Sequence, residues 1–287
     1  MSAPIIFDSR AYAMRRARAA RRSPESFLVA DVAENLSERL GAVKRAFAHA
    51  LDLSSRDAAF RILQRHAAEW TRTPVSAQDV ALQFADGAFD LVTSVLSLHA
   101  VNDLPGALSE IRRVLKPDGL LLAALFGGGT LGELRRAFAA GESETTGGVS
   151  PRIAPFADVR DLGGLLQRAG FALPVADVER IGVAYSEFST LVNDLRGLGE
   201  TNALAERSRK FLGRDTLAAT LAHYSAADAD ESGRLRATFE VMTLTAWAPH
   251  ESQQKPLAPG SAKSRLADAL GAKEESAGES APIVRRP

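Results

Sequence analysis

Two side chains that could take part in chemistry, Ser97 and His99, stand at the end of the strongest strand pattern in the chain, the apolar and β-branched run FDLVTSVLSL at 89–98. A histidine in this position could orient a substrate or act as a general base. The alternative is a hydrogen-bonded structural histidine, and the sequence leaves both open. The five histidines are scattered without an i, i+4 pair, so the sequence predicts no metal site.

Polar residues also stand near other predicted strand ends. Asp52 lies in the short apolar run 50–53 and is followed by Ser54, and Asp79 comes before the 89–98 run. Ligands of parallel α/β sheets bind beyond the carboxyl ends of the strands, where the strand order reverses. We therefore expect the site around residues 54–57, 79–80, 97–99 and 127–130.

The elements that must position these residues alternate between strand and helix patterns. After helical residues at 24–48 come a strand at 50–53, a helix to about 66, the strand 89–98, a helix lined by Leu104 to Leu115, and the strand 120–126. Helices at 130–140 and 158–169, a strand pair at 172–184 and 236–248, and a helical insert at about 186–225 follow. This order predicts an α/β fold with a doubly wound, mostly parallel sheet.

Three segments are expected: an N-terminal helical segment at 1–48, a main domain at 49–250, and a tail at 251–287 that is disordered after about 272. Disorder is expected there because the composition after about residue 272 is dominated by Ala, Glu, Ser, Gly and Pro. The first 22 residues are rich in arginine, which is consistent with a basic helix of the domain or with a transit peptide.

Bulk composition excludes several classes of function. The 287 residues are 46% hydrophobic and carry a formal net charge of zero, so no overall charge favours nucleic acid or a membrane surface. The absence of cysteine excludes disulfides and thiolate nucleophiles. No apolar run reaches about 18 residues, so we expect no transmembrane helix.

The stretch 89–128 resembles the second half of class I methyltransferases that use S-adenosylmethionine, in the branch of malonyl-carrier-protein O-methyltransferase. Four later blocks are similar to the mitochondrial complex I assembly factor and protein arginine hydroxylase group: GGGTLGELRRAF (127–138), GGVSPRIAPFADVRDLGGLLQRAGF (147–171), DLRGLGETN (194–202) and WAPHESQQKPLAPGSA (247–262). The resemblance covers about residues 5–270 and implies a Rossmann-like fold with S-adenosylmethionine as the cofactor.

The same resemblance implies roles for particular residues. Asp52 and Ser54 would lie beside the amino-acid end of the cofactor, Asp79 at its adenine or as a loop cap, and Ser97 in the pocket wall, with His99 as the catalytic candidate. Family members have glycines after the first strand, which permit close approach of the backbone. Here the block 51–58 reads LDLSSRDA and contains none.

The segment before the 89–98 strand is short for the family. Only 37 residues separate Leu51 from Phe89, and a single βαβ unit takes about 30. We expect strand 2 of the family, or its helix, to be shortened or absent. Glu69 is the nearby acid that could hold ribose hydroxyls, or it is a solvated surface charge.

Three functions remain open from the sequence. The first is a methyltransferase that uses S-adenosylmethionine. The second is a factor that modifies or assembles a respiratory complex I subunit. Its protein partner would be contacted through an arginine-bearing peptide. The third is a non-catalytic scaffold that has lost the cofactor. An enzyme with a protein partner, no nucleic acid and a bacterial cytoplasmic location is expected, with the mitochondrial matrix side as the alternative.

Overall fold

The computed structural model describes residues 5–22, 26–54, 56–74, 81–254 and 271. Its strands are β1 (Phe47–Asp52), β2 (Ala67–Arg72), β3 (Phe89–Val95), β4 (Leu115–Phe126), β5 (Ala172–Tyr185) and β6 (Leu235–Trp247). Its helices are α1 (Ser9–Arg22), α2 (Phe27–Ala42), α3 (Asp57–Leu63), α4 (Leu104–Val114), α5 (Gly132–Thr146), α6 (Val159–Arg168), α7 (Phe188–Leu198) and α8 (Arg214–Asp228). The alternation predicted from the sequence is confirmed.

The six strands form one sheet in the order β2-β1-β3-β4-β6-β5. The first four strands run parallel, and β6 pairs antiparallel with both β4 and β5. The chain leaves β1 first toward β2 and later toward β3 and β4, on the opposite side. The strand order therefore reverses between β1 and β3, and the carboxyl ends of these two strands flank the crevice where such sheets bind ligands.

Strand β3 is buried along its whole length, as expected for a central strand covered on both faces. Helix α4 follows after a 3₁₀ turn at Leu98–Ala100, and Asp103 caps it by accepting a hydrogen bond from the Gly106 amide at 2.9 Å. Strand β4 begins directly after this helix and contains a bulge at 116–119, in which Asp118 has a φ of 62°. These features fix the position of the loop that carries Ser97 and His99.

The region predicted to be shortened keeps its strand. All of β2 pairs with β1, from Phe47 beside Ala67 to Asp52 beside Arg72. The shortening instead affects the connections, because α3 has seven residues. Between β2 and β3, the described residues 73–74 and 81–88 form neither helix nor strand. Asp79 lies outside the described residues.

The N-terminal helices pack onto the sheet domain. Residues of α2 such as Leu28 and Leu36 are completely buried in the same core as β1 and β3. The arginine-rich α1 buries Ala11 and Ala19 and contacts α7. The chain divides into a unit at 1–250 and a second at 251–287. In the part of the chain described, no helix has the length and apolar character needed to cross a bilayer.

Candidate functional site

Asp52 ends β1 at the crevice, and its carboxylate is fully engaged by the protein itself. The side chain is buried, and Oδ1 accepts hydrogen bonds from the Ser54 amide at 2.9 Å and from the Ser54 hydroxyl. The other oxygen, Oδ2, lies 3.3 Å from Nε of Arg72. Arg72 stands at the end of β2, where the resemblance implies an acid that holds the ribose hydroxyls. Its guanidinium instead forms an ion pair with Asp52.

Arg56 is the residue that fills the crevice. Its guanidinium is buried and donates to the carbonyl oxygen of Leu96 at the end of β3, at 2.8 Å, and to that of Leu198 at 3.1 Å. Leu96 has a left-handed φ of 48°, a conformation that costs a non-glycine residue roughly 1–2 kcal/mol. The charge-assisted bond from Arg56 helps to offset that cost.

Glu200, in the segment after α7, collects the remaining polar groups. Its Oε1 accepts from Arg56 at 2.9 Å and from the Tyr12 hydroxyl at 3.2 Å, while Nη1 of Arg16 lies 3.7 Å away. Its Oε2 lies 3.1 Å from Nε2 of His99. We call these five residues the Glu200 cluster. The cluster joins α1, the loop after β1 and the loop after β3 to one carboxylate.

Burial and charge act in opposite directions on this cluster. Burial alone would raise the pKa of Glu200, but His99, Arg56 and Arg16 outweigh it and lower the pKa to about 2. Burial, together with repulsion from Arg16, lowers the pKa of Arg56 to about 10. Both groups are therefore charged at neutral pH, and the two arginines exceed the single carboxylate by one positive charge.

His99 is buried between Glu200 and two phenyl rings. Its ring centroid lies 4.8 Å from that of Phe126 and 5.3 Å from that of Phe156. Among the described residues, its Nδ1 is buried without a hydrogen-bond partner. Ser97 is buried nearby, and its hydroxyl donates to the carbonyl oxygen of Ser54 at 3.4 Å. The structure thus brings Ser97, His99, Asp52 and Ser54 to one edge of the sheet, as the strand-end argument expects.

S-adenosylmethionine, the cofactor implied by the resemblance, does not fit this crevice. Its amino-acid end would need close approach to the backbone after β1, where Arg16 donates to the carbonyl oxygen of Ser54 at 3.0 Å. The space beyond β1 and β3 holds the guanidinium of Arg56, and the Asp52 carboxylate is closed by Ser54 and Arg72.

The glycines after β4 make room for a side chain of the protein. The Gly129 amide donates to Oε1 of Glu240 at 3.0 Å. A Cβ on Gly127 or Gly129 would lie 2.5 or 2.6 Å from a carboxylate oxygen of Glu240. The close approach that these glycines permit is thus to Glu240. Glu69 lies in the edge strand β2, is largely exposed and pairs with His49 at 3.2 Å. It is therefore a solvated surface charge, one of the two roles that the sequence left open for it.

Beside the cluster lies a cavity of about 360 Å³. It opens between α1, α5, α7 and the ends of β4 and β6, and Tyr12 and Glu200 form part of its wall. Most of its lining is apolar and includes six phenylalanines: Phe7, Phe126, Phe138, Phe156, Phe188 and Phe239. The cavity is thus separated from the crevice by the Glu200 cluster.

Sequence reasoning missed the two residues that dominate the site, Arg56 and Glu200. A signal was present for both, because Arg56 lies in the glycine-free block and Glu200 lies in the DLRGLGETN block. What the sequence does not give is that a side chain from residue 56 reaches residue 200. In the described ranges, no group of three or more His, Asp or Glu side chains is arranged to hold a metal ion.

Comparisons with known proteins agree with this architecture. Residues 33–123 match the model of a family described as "Methyltransferase domain". The chain is 40% identical over 237 residues to arginine-hydroxylase NDUFAF5, mitochondrial, of Danio rerio, an alignment that covers 83% of this chain and 71% of that protein. The corresponding human protein is 39% identical in an alignment of length 267 that covers 85% of this chain and 77% of that protein.

A more distant relative is malonyl-[acyl-carrier protein] O-methyltransferase of Laribacter hongkongensis, 41% identical over 179 residues, with 61% of this chain and 58% of that protein covered. Among solved structures, a Bacillus halodurans protein provisionally described as a methyltransferase matches with a TM-score of 0.50 at 15% identity. It covers 76% of this chain and 99% of that one. This similarity establishes the fold alone.

Proposed function

We propose, because the chain belongs to the family of the arginine-hydroxylase NDUFAF5 proteins, that it acts on a protein partner in the assembly of respiratory complex I. These relatives are named as arginine hydroxylases, so we take the partner segment to be one that bears an arginine. We also propose that the chain does this without methyl transfer from S-adenosylmethionine. The observation that carries this second part is the buried Arg56 guanidinium, bonded to Leu96 and Glu200 across the crevice.

Titration calorimetry of the purified chain with S-adenosylmethionine tests the second part directly. We expect no binding heat at millimolar ligand, because binding would have to break the bonds of Arg56. The variant Arg56→Gly is the matched comparison, since it removes the guanidinium from the crevice and places a glycine in the loop after β1, as in other family members. Saturable binding to the unaltered chain would contradict the proposal.

Deletion of the gene tests the first part. We expect the amount of assembled NADH dehydrogenase, measured on native gels by its activity, to fall in the deletion strain and to be restored by the plasmid-borne gene. Normal levels in the deletion strain would refute a role in assembly. This result does not depend on the calorimetry, so the two parts of the proposal can fail separately.

Methyl transfer is the second candidate, and two observations favour it. Residues 33–123 match a methyltransferase domain, and Asp52 keeps its place at the end of β1. If this candidate is correct, the Arg56 side chain has to leave the crevice before Asp52, Ser54, Asp79 and Ser97 can hold the cofactor. His99 then positions the substrate, and the calorimetry gives saturable heat. The division into segments at 1–48, 49–250 and 251–287 and a bacterial cytoplasmic location remain proposals as well.

A further inference from the structure

The cavity beside the Glu200 cluster has the features of a binding site that the proposed function does not use. Its volume of about 360 Å³ falls within the range of roughly 300–1,000 Å³ typical of small-molecule pockets. Its walls carry few polar groups, and buried phenyl rings such as those of Phe126 and Phe239 lie 6.2 Å apart between centroids. Such walls favour a hydrocarbon ligand, because its apolar surface leaves water on binding.

The charges in the cavity wall are largely neutralised by the protein. Arg152 is paired with Glu142 through Nη2 and also donates from Nε at 2.8 Å. Glu200 is paired with Arg56 and, at 3.7 Å, with Arg16. These groups are therefore committed to internal partners. The one positive charge by which Arg16 and Arg56 exceed Glu200 does not face the cavity, because neither arginine lines it.

Arg196 is the exception. It lies in α7, lines the cavity and is exposed, so it stands where the cavity meets solvent. Within the described ranges, its guanidinium has neither a hydrogen-bond partner nor an ion-pair partner. An uncompensated cation at the opening of an apolar cavity is complementary to a ligand with one anionic end.

The loop that leads to the cavity adds a second observation. Leu212 lines the cavity, and its neighbour Phe211 is completely exposed, with a relative accessibility of 102%. Lys210 precedes this pair. An exposed apolar side chain beside a cation can contact an amphiphile, because the apolar side chain packs on the hydrocarbon and the cation lies near the anionic end.

We propose that this cavity binds a medium-chain carboxylate of the fatty-acid class, with the alkyl chain among the phenylalanines and the carboxylate at Arg196. The ligand is separate from the protein partner proposed above. Its binding is not catalytic, and no bond is made or broken. The Glu200 cluster lies between this cavity and the crevice, so binding does not require the crevice to open.

Titration calorimetry with straight-chain carboxylates from hexanoate to dodecanoate, below their micelle concentrations, tests the proposal. We expect affinity to rise roughly fourfold for each added methylene, until the chain fills the cavity. Decanol should bind at least about fivefold more weakly than decanoate, because it lacks the charge that Arg196 recognises. Absence of binding across the series, or equal binding of decanol and decanoate, would overturn the proposal.

Variants assign the two ends of the ligand. Arg196→Gln should weaken decanoate binding about fivefold and leave decanol binding unchanged, while Arg160→Gln, at an exposed arginine on α6, should change neither. Val192→Trp should abolish binding by filling the cavity, and Leu134→Trp is the second filling variant if the first does not fold. A folded filling variant that still binds decanoate, or an Arg196→Gln chain that behaves like the Arg160→Gln control, would refute the assigned geometry.

Discussion

Nη2 of Arg56 lies 2.9 Å from Oε1 of Glu200, and the two residues are separated by 144 positions in the chain. Both side chains are almost completely buried. This ion pair connects the loop after β1 to the segment after α7. It therefore links the part of the fold that would hold a cofactor to the helical insert, and the insert keeps the crevice closed.

Arg56→Ala is expected to lower the free energy of unfolding by about 3 kcal/mol, because it leaves a buried carboxylate short of its nearest cation. Arg16→Ala is the matched control. Arg16 contacts the same carboxylate at 3.7 Å and donates to the Ser54 carbonyl at 3.0 Å, so its removal should cost about 1–2 kcal/mol, less than the loss expected for Arg56→Ala. Urea denaturation of both variants measures the difference. Equal losses would mean that the Arg56 pair has no special weight in the fold.

The free energy of unfolding should depend on pH in the acidic range in which Glu200 titrates. Its pKa is lowered to about 2 in the folded protein, from the ordinary glutamate value of 4.5. Because a lowered carboxyl pKa stabilises the fold above the unfolded value, this contribution is complete above about pH 4.5 and is lost as the pH falls toward 2. Urea melts between pH 7 and pH 2.5 should show this decline.

Glu200→Gln should be less stable at pH 7 and should show a flatter decline in that window, since the variant has no carboxylate to protonate. Glu69→Gln is the control, because the Glu69 side chain is 76% exposed. Its pH profile should follow that of the unaltered chain. Parallel profiles for the unaltered chain and Glu200→Gln would contradict the assignment of the window to Glu200.

The fold follows from local patterns, and the site does not. The run at 89–98 predicted β3 because a central parallel strand is apolar throughout. The alternation of elements then placed Ser97 and His99 beside Asp52. These inferences need only neighbouring residues and the rule that ligands bind at strand ends.

Closure of the crevice depends on long-range contacts, which local patterns do not contain. The absence of glycine in 51–58 indicated extra side chains but gave no direction for Arg56. Strand β2 was harder to identify for another reason, since its burial pattern is half-exposed at the sheet edge and AAEWTR lacks a clear apolar alternation. Edge strands carry less of the hydrophobic signal on which such predictions depend.

The loop after β4 gives a test within three consecutive glycines. A Cβ on Gly129 would lie 2.6 Å from Oε2 of Glu240, whereas a Cβ on Gly128 would lie 3.5 Å from the nearest atom. Gly129→Ala should therefore cost about 1–2 kcal/mol by displacing the carboxylate from the Gly129 amide. Gly128→Ala should change stability by less than about 0.5 kcal/mol. Thermal unfolding of the two variants checks this, and similar melting temperatures would show that Glu240 moves aside without loss.

Helices α5 and α8 approach so closely that Gly141 has no space for a side chain. A Cβ there would lie 2.6 Å from the amide nitrogen and 2.9 Å from Cα of Thr220. These are backbone atoms of α8, and they cannot move without shifting the helix. Gly141→Ala should therefore destabilise the fold by about 2–3 kcal/mol through overpacking.

Gly163 on α6 is the control that reverses the sign. Nothing lies within 4 Å of a Cβ added there, and alanine is favoured over glycine in a helix by about 1 kcal/mol. Gly163→Ala should raise the free energy of unfolding by up to that amount, while Gly141→Ala lowers it. Denaturant melts of both chains measure the two changes on the same scale. If Gly141→Ala proved as stable as Gly163→Ala, the close packing of α5 on α8 would be wrong, and with it the position of the insert that carries Arg196 and Glu200.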